Sequence, residues 1–358
     1  MPWCRGRRPG DRLVGVSAIH TEGLRKVYPV AAGKRRGGST PGMGFGPPSA
    51  GGPPPTTPTG ARELVALEAL DLVIHDGEFF GLLGPNGAGK TTTIGILTTR
   101  IVASGGRASV AGADVIGNPV GVRRRIGVVP QRANPDRGLN VLENLVFHAA
   151  YFGITRAVAV QRAMVHLEQF GMQDKAHEKV DALSGGQQQR LMIARALIHE
   201  PAVIFLDEPT VGLDPQARLA LWDVLRDLHR QGRTIVMTTH YMEEADQLCD
   251  RLAIIDRGRL LALDTTAALK ARAPGGTLIQ LALDGPAASA AARVRALDHV
   301  SKAEAVGDTL RIHSAVGGRI ISAAIEAIEG AGRHVSNITL EEPSLETLFI
   351  ELTGRKLD

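Results

Sequence analysis

The sequence predicts an α/β fold built on a mostly parallel sheet, with a helical subdomain inserted into it and a small α+β appendage at the C-terminal end. Three observations carry this. Short runs rich in β-branched residues, Phe79–Leu83, Val128–Val129, Val203–Leu206, Thr234–Thr238 and Leu252–Ile255, alternate with helix-like windows, the pattern of a sheet covered on both faces. From about Asn134 to Glu200 the strand signals vanish and helical ones dominate. After about Ala273 the order becomes strand, helix, two strands, helix, strand.

Each element has a local cause. Strand-like pieces at Gly15–Ile19 and Leu64–Ile74 flank Ala31–Gly60, which holds nine glycines and seven prolines. Such a segment buries too little to offset its ordering entropy and reads as a disordered insertion in a hairpin loop. Residues 1–16 read as a flexible extension. Phe79–Leu83 leads into a Gly-rich turn and then the helical run Thr92–Thr99. Asn140 and Glu143 have capping-box spacing, and Leu142, Leu145, Val146 and Ala149 follow on one helical face. In the tail, strands at Thr277–Leu283, Ser301–Val306, Thr309–His313 and His334–Leu340 alternate with helices at Pro286–Leu297 and Arg319–Glu329, a split βαβ order. A last helix starts at Ser344 with Leu345, Leu348, Phe349 and Leu352 on one face.

Composition narrows the class of function. The chain has 358 residues, 44% hydrophobic and 22% charged, enough for about two domains. Two cysteines, Cys4 and Cys249, exclude a disulfide scaffold and fit a reducing compartment, one as a surface thiol and one half-buried. No apolar run reaches the roughly 18 residues that a membrane-spanning helix needs, and no apolar run follows Arg7 and Arg8 to make a signal peptide. The net charge of +4 is uneven. Residues 1–62 carry ten Lys/Arg against Asp11 and Glu22, a net of +8, so the remainder carries −4. The main body is therefore not expected to bind nucleic acid.

The chemistry lies in three motifs. Gly84-Pro85-Asn86-Gly87-Ala88-Gly89-Lys90-Thr91, between a strand and a helix opening near Thr92, is a phosphate-binding loop. Backbone N–H groups wrap the phosphates, Lys90 reaches the β- and γ-phosphates, and the Thr91 hydroxyl serves Mg²⁺. Asp207 and Glu208 end the apolar run Ala202–Leu206, placing Asp207 to hold Mg²⁺ and Glu208 to polarise an attacking water as general base. Leu183-Ser184-Gly185-Gly186-Gln187 reads as a helix N-cap whose amides make a second anion site.

With these three in this order, residues 18–262 resemble the nucleotide-binding subunit of the ATP-binding cassette (ABC) transporter family, a P-loop NTPase. The resemblance implies further roles. Tyr28 looks like the aromatic that stacks on adenine, and Gln131 like the Q-loop glutamine that joins Thr91 and Asp207 at the metal. Gly212-Leu213-Asp214 resembles the D-loop, and His240 the switch histidine that contacts the γ-phosphate. His240-Tyr241-Met242-Glu243-Glu244-Ala245-Asp246 and the tail Glu342-Pro343-Ser344-Leu345-Glu346-Thr347-Leu348-Phe349 are similar to the ATPases of daunorubicin/doxorubicin resistance exporters. Three positions depart from that family. Residues 31–60 separate Tyr28 from the phosphate-loop strand, Asn140 stands where threonine is usual, and Asp264 replaces a glycine.

The resemblance implies an ATP- and Mg²⁺-dependent hydrolase comprising an ATPase domain at 17–268, with a helical subdomain at 134–200, and an accessory domain at 273–358. It implies a homodimer in which Ser184, Gly185, Gly186 and Gln187 of one copy close the ATP held by the other. It further implies a separate multi-span permease and a peripheral place on the cytoplasmic face of the plasma membrane. The alternative is a soluble ABC ATPase acting on ribosomes or nucleic acid. Those relatives carry tandem cassettes or long coiled coils, whereas one phosphate loop and no heptad run occur here.

Overall fold

A computed structural model describes residues 17–30, 62–273, 276–314 and 316–355. The expected extension 1–16 and insertion 31–60, with Cys4, lie outside the described residues.

β1 (Ser17–Val30) and β2 (Arg62–His75) pair antiparallel, from Ser17 opposite His75 to Val30 opposite Arg62. With β4 (Gly105–Val110) and β5 (Ala113–Asp114) they form a four-stranded sheet in the order β2-β1-β4-β5. The sequence reading has the hairpin of β1 and β2 but not the sheet it makes with β4 and β5. β4 reads Gly-Gly-Arg-Ala-Ser-Val with little alternation, and β1 is interrupted by polar residues and register shifts between Thr21 and Val27. Neither has the period-2 pattern that marks a strand.

The predicted sheet is present. Its order is β10 (Arg259–Thr265), β9 (Arg251–Asp256), β3 (Phe79–Leu83), β8 (Thr234–Thr239), β7 (Val203–Asp207), β6 (Ile126–Val129). All neighbours are parallel except the edge strand β10. β3, β7 and β8 are buried along their whole length, which is why they read as continuous apolar runs. Phe79 packs into the core beneath the helical segment, and its neighbour Phe80 packs towards the antiparallel sheet.

α1 (Lys90–Leu97) follows the phosphate loop and α2 (Pro119–Arg125) precedes β6. The segment expected to be helical contains α3 (Val141–Ala150), α4 (Arg156–Gln169) and α5 (Gly185–Leu197). Asn140 caps α3 with a complete capping box: its Oδ1 accepts from Glu143 N, and Glu143 Oε2 accepts from Asn140 N, both at 2.8 Å. The change from threonine thus keeps the cap. α6 (Pro215–Arg230), α7 (Met242–Leu248) and α8 (Thr266–Ala271) complete the layers. Asp264 lies within β10 opposite Leu252 without positive φ, so that position has no conformational need for glycine. Cys249 is buried, with 6% of its surface exposed, rather than half-buried, and burial pushes its thiol pKa well up.

The tail forms β11 (Thr277–Leu283), α9 (Ala288–Arg295), β12 (Val300–Val306), β13 (Thr309–Ser314), α10 (Ile321–Glu329) and β14 (Val335–Glu341). The sheet order β12-β13-β11-β14 is fully antiparallel, the expected split βαβ arrangement. α11 (Leu345–Thr353) does not join it. Its Leu345, Leu348 and Phe349 pack with Leu83, Ala245, Leu252, Ile254 and Leu269 of the first unit, and Arg355 Nη2 bonds Asp256 Oδ1 at 2.6 Å. Burying Phe349 completely contributes about 2–3 kcal/mol to that attachment. Among the described residues no helix is long and apolar enough to cross a membrane.

Candidate nucleotide site

Because β6, β3, β7 and β8 run parallel, their C-terminal ends lie on one edge, where ligands of open α/β sheets bind. The register aligns Asp207 with Thr238 and Leu83 with Thr239. The phosphate loop after β3, the acidic pair of β7, His240 after β8 and Gln131 after β6 therefore meet.

Two glycines shape the loop. Gly89 has φ +107° at the N-cap of α1, where a Cβ would meet Ala66 O at 2.7 Å. At Gly84 a Cβ would strike Ile255 O. The chain can turn from strand into helix this tightly only without side chains there. Lys90 is 4% exposed and donates to Gly84 O at 2.6 Å and Pro85 O at 3.2 Å.

Glu208 is the meeting point. Its Oε1 lies 3.1 Å from Lys90 Nζ and 3.4 Å from His240 Nδ1, and its Oε2 accepts from Gln131 Nε2 at 2.9 Å. Burial acts to raise its pKa, but the Lys90 ammonium, by charge and hydrogen bond, together with His240, outweighs burial and holds the carboxyl below its ordinary value. Glu208 has φ +47°, a left-handed conformation that costs a non-glycine residue about 1–2 kcal/mol. Its N–H donates to Thr238 O at 3.1 Å and approaches Thr238 Oγ1 at 3.0 Å, which holds the turn.

Asp207 Oδ1 accepts from Thr238 Oγ1 at 2.7 Å and from Thr91 Oγ1 at 3.4 Å. Burial, then the Glu208 charge, raise its pKa above the ordinary value against those two hydroxyls and Lys90. The hydroxyl, carboxylate and Gln131 amide oxygen are hard donors of the kind Mg²⁺ takes beside phosphates, so these residues fit that ion.

The loop residues Pro85, Asn86, Gly87, Ala88, Gly89, Lys90, Thr91 and Thr92 line a cleft of about 320 Å³ with Tyr28, Gln131 and Glu208. Leu64, directly opposite Tyr28 in the β1–β2 hairpin, and Ala66 share the wall. The hairpin is thus intact around Tyr28, and Lys26 Nζ lies 4.8 Å over its ring.

Two predicted elements lie outside this cleft. Ser184 caps α5, with its Oγ accepting from Gln187 N at 3.3 Å and Gln187 Oε1 accepting from Ser184 N at 2.9 Å. Ser184 and Gly185 are exposed. Asp214 is also exposed and caps α6 through Ala217 N at 2.8 Å. The two caps adjoin, since Gly186 faces Ala217. The sequence reading missed the anchoring by Thr238 and the Leu64 wall. Thr238 belongs to the run before His240, but only its pairing with Asp207 exposes its role.

Residues 67–211 match the family model described as ABC transporter. The chain is 37% identical to the linearmycin resistance ATP-binding protein LnrL of Bacillus subtilis (strain 168), over 81% of this chain and 94% of the relative. It is 39% identical to the daunorubicin/doxorubicin resistance ATP-binding protein DrrA of Streptomyces peucetius, over 82% and 89%. A dimeric ATP-binding cassette in a post-hydrolysis state bound to ADP and Pi superposes with a TM-score of 0.55 at 25% identity, covering 69% of this chain and 98% of that one. Motif order, site geometry and these likenesses agree: the chain belongs to the ATP-binding subunits of ABC transporters, in the family of daunorubicin/doxorubicin resistance exporter ATPases, and is an ATP hydrolase.

Proposed function

We propose that Glu208 is the general base for ATP hydrolysis in this chain, served by Lys90, Gln131 and His240. The supporting observation is the convergence of all three side chains on one buried carboxylate at 2.9–3.4 Å. A γ-phosphate placed in this cleft competes with Glu208 for the Lys90 ammonium, and His240 adds a donor from another side, as the spread charge of phosphoryl transfer requires. Release of Lys90 leaves the carboxylate to polarise water. Thr91, Asp207 and Gln131 would hold Mg²⁺, which would neutralise charge on the phosphates. Tyr28 and Leu64 supply an apolar wall for the adenine.

The exposed caps of Ser184 and Asp214 fit a second copy of the chain that presents Ser184–Gln187 to the γ-phosphate. Neither copy then completes a site alone. A groove of about 360 Å³ just after the Gln131 loop in the chain is lined by the polar residues Asn134, Asp136, Asn144 and Arg195 together with Phe147 and Tyr151. Phe147 and Tyr151 are 56% and 87% exposed there. These two exposed aromatics in a largely polar groove suit a docking segment of a multi-span permease, which seats the ATPase peripherally on the cytoplasmic face of the membrane. Relatives named for linearmycin, daunorubicin and doxorubicin resistance, and for Nod factor export, point to an exported drug-like or other hydrophobic substrate.

The test is Glu208→Gln in the full chain. We expect turnover to fall at least about 100-fold while ATP still binds and drives dimer formation on a sizing column. Hydrolysis at the unsubstituted rate would remove Glu208 from the role of base.

A further inference from the structure

We infer that Glu244 is a positioning residue of the hydrolytic site, holding the loop that carries His240 against the helix that follows Asp214. The inference rests on the roles assigned above to Glu208 and His240, in which Glu244 has no part.

Glu244 sits in the first turn of α7 with 0% exposure. A carboxylate there is tolerated only through its partners. Those partners come from three functional segments. Trp222 Nε1, on α6, donates to Glu244 Oε1 at 3.3 Å. Burial raises the Glu244 pKa above its ordinary value, opposed by the hydroxyls of Thr239, just before His240, and Thr210, two residues after Glu208, by Trp222, and by the Arg218 charge. α6 grips the same loop a second time one turn earlier. The Arg218 guanidinium lies 4.8 Å over the Tyr241 ring, whose centroid is 4.2 Å from that of His240. Tyr241 N in turn donates to Thr239 Oγ1 at 2.9 Å.

The network is incomplete. Thr210 Oγ1, Arg218 Nε, His240 Nδ1 and Glu244 Oε2 are all buried and make no hydrogen bond of good geometry. Native proteins leave few such atoms, and here one belongs to this carboxylate and the other three to Thr210, Arg218 and His240 of the segments it connects. Unpaired polar groups in a low-dielectric interior are costly, so a rearrangement that pairs them is favoured. The α6 helix is capped by Asp214, on the surface proposed to meet the second copy. A shift of α6 on dimer closure therefore reaches His240 through Trp222 and Glu244, with no contact between Glu244 and the nucleotide.

The experiment uses the full chain carrying Trp3→Phe, so that Trp222 is the single tryptophan of the two in the sequence. Glu244→Ala is expected to lower kcat at least about tenfold with KM for ATP changed less than about twofold. Glu244→Gln keeps an acceptor for the indole N–H and is expected to stay within about threefold of the parent. Trp222 emission should respond to ATP in the parent and in Glu244→Gln but not in Glu244→Ala. Unchanged kcat in Glu244→Ala, or equal loss of kcat and melting temperature in both variants, overturns the inference. If Glu244→Ala does not fold, Trp222→Phe decides: lower kcat at unchanged melting temperature supports it, and unchanged kcat refutes it. Glu208→Gln is assayed alongside. Hydrolysis persisting there sinks the general-base reading, whereas its loss with Glu244→Ala fully active sinks only the role of Glu244.

Discussion

Lys90 and Glu208 form an ion pair at 3.1 Å in which the two side chains are 4% and 5% exposed. Removing one partner of such a pair leaves a buried charge unmatched, at a cost of about 3–5 kcal/mol, whereas removing both charges can be nearly neutral. Nucleotide-free Lys90→Met should therefore melt well below the parent, and Lys90→Met/Glu208→Gln should recover most of the loss. Additive melting shifts in the double variant would show that the two side chains are not energetically coupled.

Tyr28 and Leu64 face one another across the hairpin and line the cleft with the phosphate loop. In the proposed adenine wall their contribution is to binding shared by ground and transition states. Tyr28→Ala should raise KM for ATP about tenfold, in keeping with the loss of one stacking contact, and leave kcat within about twofold. Steady-state kinetics decides it, and a fall in kcat at constant KM would move Tyr28 out of the adenine wall.

Ser184 lies outside the cleft formed by its own chain, so its proposed partner is the Lys90 of a second copy. Ser184→Arg and Lys90→Met should each be inactive alone. Mixed in equal amounts and allowed to exchange, half the dimers pair one of each and contain one intact site, giving about a quarter of the parental rate. Failure of the mixture to regain activity, with heterodimers demonstrated by mass, would contradict the shared site.

His148, on α3, has its pKa lowered to about 4 by burial, then by the charges of Arg195 and His199. The neutral imidazole is the form that fits. The penalty for charging it is absent above the unfolded value near 6.5 and grows as pH falls towards about 4, because the unfolded chain binds the proton first. Discounted for partial exposure, it amounts to at most about 2 kcal/mol. The melting temperature should fall across that window, and His148→Gln should flatten the decline. A parallel decline in both proteins would assign the acid sensitivity to other groups.

The amino-acid sequence by itself determined what is local. The phosphate loop needs its glycines, Lys90 and Thr91 within eight residues, and the Ser184–Gln187 and Asn140–Glu143 caps close over three. The alternation of strands and helices followed from periodicity, down to the split βαβ order of the tail. Tertiary structure alone decided what those pieces meet. Gln131 and Glu208 are 77 residues apart, and Thr91 and Asp207 are 116 apart, yet parallel pairing brings them to one edge. The left-handed turn at Glu208 depends on Thr238 of the neighbouring strand. The apolar face of α11 announced that it needed a cover but not that Leu83 and Leu252 would provide it rather than the adjacent sheet. Turns and caps are governed by hydrogen bonds spanning three or four residues, which the sequence displays directly. Strand order and core packing select one partner among many apolar surfaces of similar chemistry, and only the folded chain shows which was chosen.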